Sequence, residues 1–361
     1  MKRLTGLLLL GISACLVLFL ASCSKTDLPT EDQPSSPTPT PLAAGTSAMT
    51  GTPAFTPTEL STETVPATLT RPSTIHPTNP PATPQPSSPH TAISVPCSQQ
   101  VCFEPGTFLL QRPIAPPGRN TIDTSYRFGD DFGGKRDVHH GVEFLNSAGT
   151  PVLAAADGTV VVAGDDKKTL YGLFPNDYGN LVVIQHALPG ISQPVFTLYA
   201  HLSKIDVRQG DTLKAGQKIG EVGASGSATG PHLHFEVRLG ENSYAASRNP
   251  ELWLEPLTDE QGQLEGGIAG SIVGSSSTPL TVPNIVIQPI STAGTAAEST
   301  AYIHTYDERK LVGESPWDES FATGGLPPGQ YKLSFVRNGY HNMIIQVQPG
   351  QLTLVTIKLE Q

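Results

Sequence analysis

Residues 230–238 read Gly-Pro-His-Leu-His-Phe-Glu-Val-Arg. After the Gly-Pro turn signal, large apolar side chains take alternate positions: Leu233, Phe235 and Val237. Side chains two apart leave an extended strand on the same face, so these three predict a side turned to a core. The opposite side carries His232, His234 and Glu236, and imidazoles two apart in a strand converge on one point. Alone, a His-x-His pair says little, because most such pairs are half-exposed strand residues.

Working outward, the neighbouring segments carry the same signature. PVLAAADGTVVVAG (151–164), GNLVVIQHA (179–187), VFTLYAHL (195–202) and GDTLKAGQKIGEVG (210–223) are short runs rich in β-branched residues, separated by Gly, Asn and Asp. That pattern predicts an all-β domain of many short strands. DDKKTLYGLFPNDYG (165–179) falls between two strands and reads as a long loop. Its Tyr171, Phe174 and Tyr178 either frame a groove or pack as a cover.

Six of the ten histidines fall in this region: His139, His140, His186, His201, His232 and His234. VHHGVEF (138–144) sets His139 four residues before Glu143. With His234 these make two imidazoles and one carboxylate, a set that zinc uses in hydrolases with a fourth position left open. In FTLYAHLSKI (196–205), Tyr199 and His201 are expected on one strand face. His201 and His232 would then be two non-ligand imidazoles beside the ion, while His186 reads as structural. Glu236 reads as a packing or surface residue, with orientation of a histidine as the alternative.

Taken in order, His-x-Gly-x-acid, Tyr-Ala-His-Leu and Gly-Pro-His-Leu-His-Phe-Glu resemble the lysostaphin-type zinc metallopeptidases that cleave peptidoglycan. The resemblance covers about residues 121–237. It implies a central β-sandwich metallopeptidase domain of the duplicated hybrid motif type. It also implies a Zn2+ site formed by His139, Glu143 and His234, with His201 and His232 catalytic. The family's usual acid is aspartate; Glu143 is one methylene longer, so its carboxylate needs a different rotamer to reach the ion. Some relatives have lost site residues and act as amidase activators, so the alternative function is a catalytically impaired wall-binding protein or amidase activator. A biotinyl- or lipoyl-type carrier is a weaker rival. GDTLKAGQKIGEVG has a similar glycine-bounded hairpin, but no Met-Lys tip is present.

The N-terminus bears on compartment. Lys2 and Arg3 precede an apolar run that closes with Leu-Ala-Ser-Cys at residues 20–23. This is the layout of a signal peptide, and its end resembles a lipobox, which implies lipidation at Cys23. The alternative is an uncleaved membrane anchor; either places the rest outside the cytoplasmic membrane, lipid-anchored in the first case and facing the cell wall. Residues 24–95 are rich in Pro, Thr and Ser. Such a stretch buries too little apolar area to order itself, and it is expected to be a disordered tether. Cys97 and Cys102, in CSQQVC, are a possible disulfide in that setting; two free thiols are the alternative.

The expected organisation is a signal peptide over 1–23, a linker over 24–95, the metallopeptidase domain over 96–258, and a small C-terminal β-sandwich over 266–361. The last resembles carboxypeptidase-regulatory-like sandwiches. In it Tyr331, Leu333 and Phe335 alternate, as do Val355, Ile357 and Leu359, predicting half-buried sheets. His304 and His341 are isolated there. The net charge is -10 and no Lys/Arg run follows the extreme N-terminus, so no nucleic-acid partner is expected. The expected partners are peptidoglycan and, through the lipid, a membrane.

Overall fold

The computed structural model describes residues 100–290, 300–306, 311–314 and 317–360, all within the unit Ala82–Gln361. The expected signal peptide and tether, with Cys23 and Cys97, lie outside the described residues. Cys102 is disulfide-bonded.

The described chain is almost entirely strand and loop. Its only helical segments are two three-residue 3-10 turns, Tyr244–Ala246 and Pro250–Leu252. The fold is thus all-β, built on several sheets. The largest is antiparallel and runs Ser247–Arg248, Leu233–Leu239, Val195–Ala200, Asn180–His186, Gly158–Asp165, Thr212–Leu213, with Val142–Phe144 on the flank of Leu233–Leu239. A three-stranded sheet of Pro151–Leu153, Lys218–Glu221 and Lys204–Ile205 completes this half. Alternation along Leu233–Leu239 is as expected: Leu233, Phe235 and Val237 enter the main core with Val142, Phe144, Tyr199 and Ile219.

The opposite face of the large sheet is not left to solvent. Leu181, Val183, Phe196, Leu198 and Ala200 pack with Tyr178, and Tyr171 closes over them. The 165–179 loop therefore does both things its aromatics allowed. Tyr171 and Tyr178 cover the sheet, while Leu173 and Phe174 stay exposed on a groove wall.

The C-terminal half stacks two four-stranded sheets. One holds Val101–Glu104, Leu352–Leu359, Gly266–Gly274 and Phe321–Leu326; the other holds Ala301–Ile303, Ile285–Pro289, Gly329–Val336 and Tyr340–Val347. Ile268, Ile285, Leu333, Phe335, Val355 and Ile357 fill the space between them. The Leu352–Leu359 strand differs from the half-buried reading: Leu352 and Leu354, on its other face, join the main core. The reason is that this sheet is covered twice, by its partner sheet and by the half of the chain that precedes it. Trp253, 0% exposed, sits at that junction. Burying an indole of this kind removes about 150–250 Å² from water, roughly 4–6 kcal/mol. Its N–H donates to Glu314 Oε2 at 2.9 Å. The Val101–Glu104 strand, at the start of the 96–258 stretch, hydrogen-bonds not to its sequence neighbours but to Leu352–Leu359, with Cys102 opposite Leu354.

Two features of this framework can be tested. Gly141 lies where an added Cβ would come within 2.5 Å of Phe235 O and 2.7 Å of His234 Cε1. We expect Gly141→Ala to cost about 1–3 kcal/mol in urea unfolding, because the close strand contact must open. Second, burial raises the Glu314 carboxyl to about 7 and Glu319 to about 8, from the usual 4.5. The folded state then binds more protons than the unfolded one between about pH 4.5 and 8, so this contribution to stability is lost as pH rises through that window. Urea midpoints at pH 5 and pH 8.5 should fall further for wild type than for Glu319→Gln.

Candidate active site

Strand register builds the site. His234 stands directly across from Glu143 on one flank and from Ala200 on the other. Directly opposed residues in an antiparallel pair have Cβ atoms about 5 Å apart, and Ala200 keeps the second flank small. Phe144 and Val142 point to the core, which commits Glu143 to the other face with His234.

His139 precedes the Val142–Phe144 strand and is held by backbone on both sides. Gly129 N donates to His139 O at 2.8 Å, and His139 N donates to Asp130 O at 2.9 Å. The ring of Tyr126 stacks on the imidazole at 3.9 Å, nearly parallel.

His201 and Tyr199 do not share a face, contrary to the sequence reading. The strand ends at Ala200, and His201 takes a left-handed backbone (φ 60) that swings its ring onto the His234 side. Tyr199 goes to the core, where its hydroxyl accepts from Ala155 N at 2.8 Å and Thr197 Oγ1 at 2.9 Å. A period-two rule fails here because the strand stops one residue before the histidine.

Three atoms then meet. His139 Nε2 lies 3.0 Å from Glu143 Oε1, His234 Nδ1 lies 3.0 Å from the same oxygen, and the two nitrogens are 3.2 Å apart. Their hydrogen-bond partners assign the tautomers, since carbonyls and carboxylates only accept. His139 Nδ1 faces Arg127 O at 3.1 Å, and His234 Nε2 faces Glu236 Oε1 at 3.0 Å. His201 Nδ1 faces Ser225 O and His232 Nδ1 faces Gly230 O, both at 2.8 Å. Each imidazole thus ties up its N–H outside the site and leaves its other nitrogen bare. His232 Nε2 lies 3.2 Å from Glu143 Oε2, a buried oxygen that no hydrogen bond reaches.

Bare nitrogens and a carboxylate at such separations require positive charge between them. A proton can supply it: burial pushes His234 down, but Glu143 and Glu236 outweigh that and hold it up at about 10. Glu143, although buried, is held well below the usual carboxylate range by His234 and His139. The donor set equally suits a metal ion, since one atom from each of His139, Glu143 and His234 can be chosen within 4.8 Å of the others. The orphaned Glu143 oxygen is the kind of atom a cation satisfies.

The structure brings together all five residues expected at the site. It also adds some that sequence reading undervalued. Glu236 is 0% exposed and accepts from Arg238 Nε at 2.7 Å and from the Tyr178 hydroxyl, while holding His234. Burial opposes its ionisation, but Arg238 and His234 keep its carboxyl below the usual range. Its place two residues after His234 was the available signal. Tyr126 had none, because its contact with His139 is made by a loop. His140 lines the groove but does not join the converging atoms: its Nδ1 lies 2.7 Å from Ser247 Oγ, and burial lowers it to about 4. His186 bonds Thr197 Oγ1 at 2.7 Å, away from the groove.

Above the site runs a groove of about 540 Å³. Tyr126, Phe132 and Arg136 form one wall, with the Arg136 guanidinium 4.6 Å over the Phe132 ring. Leu173 and Phe174 form the other.

Residues 137–246 match peptidase family M23. Among curated proteins, the chain is similar to the DD-carboxypeptidase/endopeptidase Mpg of Neisseria meningitidis, at 41% identity over 28% of this chain and 20% of that protein. It is also similar to the peptidoglycan DD-endopeptidase ShyA of Vibrio cholerae, at 35% identity over 33% of this chain and 26% of that protein. The chain therefore spans only about a fifth to a quarter of these relatives' length. Among solved structures, the catalytic domain of the antimicrobial peptidase lysostaphin from Staphylococcus simulans is 35% identical, covering 31% of this chain and 76% of that one, with a TM-score of 0.27. Over residues 137–246 the chain carries a peptidase family M23 domain.

Proposed function

We propose that the chain is a zinc-dependent endopeptidase that hydrolyses peptide bonds in peptidoglycan stem peptides or cross-bridges. In this reading it is exported and held at the membrane by lipid on Cys23, with residues 24–95 as the tether. The observation that carries the reading is the meeting of His139, Glu143 and His234 within 3.0–3.2 Å, beside two more imidazoles whose Nε2 atoms are bare. The names of the curated relatives support a cell-wall substrate.

His139 Nε2, Glu143 and His234 Nδ1 would hold the ion, and Glu236 and Arg127 O would hold the two imidazoles in place. Zinc so bound supplies a Lewis acid and lowers the pKa of water towards about 7. The remaining chemistry falls to this chain's own side chains. Burial and the nearby His234 and His232 lower His201 to about 4, so it stays neutral in ordinary buffers. A bare Nε2 on His201 or His232 can take a proton from the attacking water. The imidazolium formed can then hydrogen-bond the tetrahedral oxyanion and pass its proton to the leaving amine nitrogen as the C–N bond breaks. The groove walls would align an extended peptide across these atoms.

Mass spectrometry of muropeptides released from purified sacculi tests this, with zinc measured by plasma emission. We expect one zinc per chain and peptide-bond cleavage, both abolished in His234→Ala. A zinc-free, inert wild-type protein would instead favour the wall-binding or amidase-activating role. His201→Ala and His232→Ala should each retain zinc and lose about 10²- to 10⁴-fold in turnover. If either variant keeps wild-type turnover, that histidine is not the base.

A further inference from the structure

We infer that the C-terminal β-sandwich is a positioning element for the metal ligand His139, acting through the backbone of residues 127–129. The inference rests on the zinc-site reading above. Arg127 O is the acceptor that orients His139 Nδ1, at 3.1 Å, and Gly129 N donates to His139 O. This short segment therefore fixes both the ring and the backbone of the ligand.

On its other side, Phe128 and Gly129 meet the C-terminal half directly, and Arg127 reaches it through Glu251. The Arg127 guanidinium pairs with Glu251, whose Oε2 also accepts from Gly324 N at 2.8 Å in the Phe321–Leu326 strand. Phe128, 3% exposed, meets the Tyr306 ring edge-on at 5.3 Å. His304 Nε2 donates to Gly129 O at 2.7 Å. Gly129 has φ +86, and an added Cβ would lie 2.8 Å from Tyr306 Cδ1, so only glycine permits this closeness. The Tyr306 hydroxyl in turn accepts from Asn249 Nδ2 at 2.8 Å. A residue that orients a ligand through a hydrogen bond typically changes metal affinity 10–100-fold when lost. His304 acts one step further out, through Gly129, so the lower end of that range applies.

The test measures zinc affinity of the full chain by competition with a chromogenic chelator, alongside melting of the zinc-free protein. His304→Ala should bind zinc about tenfold more weakly. His304→Gln, whose amide can place an N–H where Nε2 stands, should restore most of the affinity. His341→Ala serves as control: that imidazole also bonds a backbone carbonyl, Arg337 O at 2.8 Å, but within its own sheet. It should melt earlier or not at all differently, and bind zinc as wild type does. Equal affinity in wild type and His304→Ala overturns the positioning role while leaving the zinc site intact. A wild-type protein that holds no zinc overturns both.

Discussion

The antiparallel register between Val142–Phe144 and Leu233–Leu239 is the constraint on which the site depends. It puts Glu143 opposite His234, while alternation sends Val142, Phe144, Leu233 and Phe235 into the core. A slip of one residue would turn the imidazole and the carboxylate into the hydrocarbon and the apolar set into the groove. Four buried hydrophobic side chains therefore guarantee the pairing of two polar ones. The close contact at Gly141 adds a steric lock, because any larger residue would push the two strands apart.

Holding this many polar groups out of water is costly unless each finds a partner. The outer partners are therefore as ordered as the site. Arg238, 0% exposed, answers Glu236 and also donates to Tyr171 O at 2.8 Å, tying the covering loop to the strand beneath the histidines. The carbonyls of Arg127, Ser225 and Gly230 each receive one imidazole N–H. Among the carboxylate and imidazole groups of the site, the buried atom left without a hydrogen bond is Glu143 Oε2, where positive charge belongs.

Much of this was legible in the chain. Strand alternation in LHFEV and the order of His139, Glu143, His201, His232 and His234 identified the residues that the structure gathers. Legibility failed where geometry is not periodic. His201 escapes its strand by a left-handed turn. Tyr126 and the Arg127 carbonyl reach His139 from a loop whose path depends on distant contacts. The pairing of Val101–Glu104 with Leu352–Leu359 joins residues some 250 positions apart, and nothing local in VCFE announces its partner. The burial of Leu352 and Leu354 is likewise a property of the packed molecule: a strand covered on both faces loses the alternation that marks a one-sided sheet.

That first strand has a mechanical consequence. Tension applied through residue 100 enters the molecule at Val101–Glu104 and passes across the ladder to Leu352–Leu359. The pull would be borne first by this terminal pairing, where Val101 lies opposite Val355, and not by the strands that carry the histidines. Were the chain tugged from that end, the sheet beside the C-terminus would act as the shock absorber and the groove would keep its shape until that ladder parted.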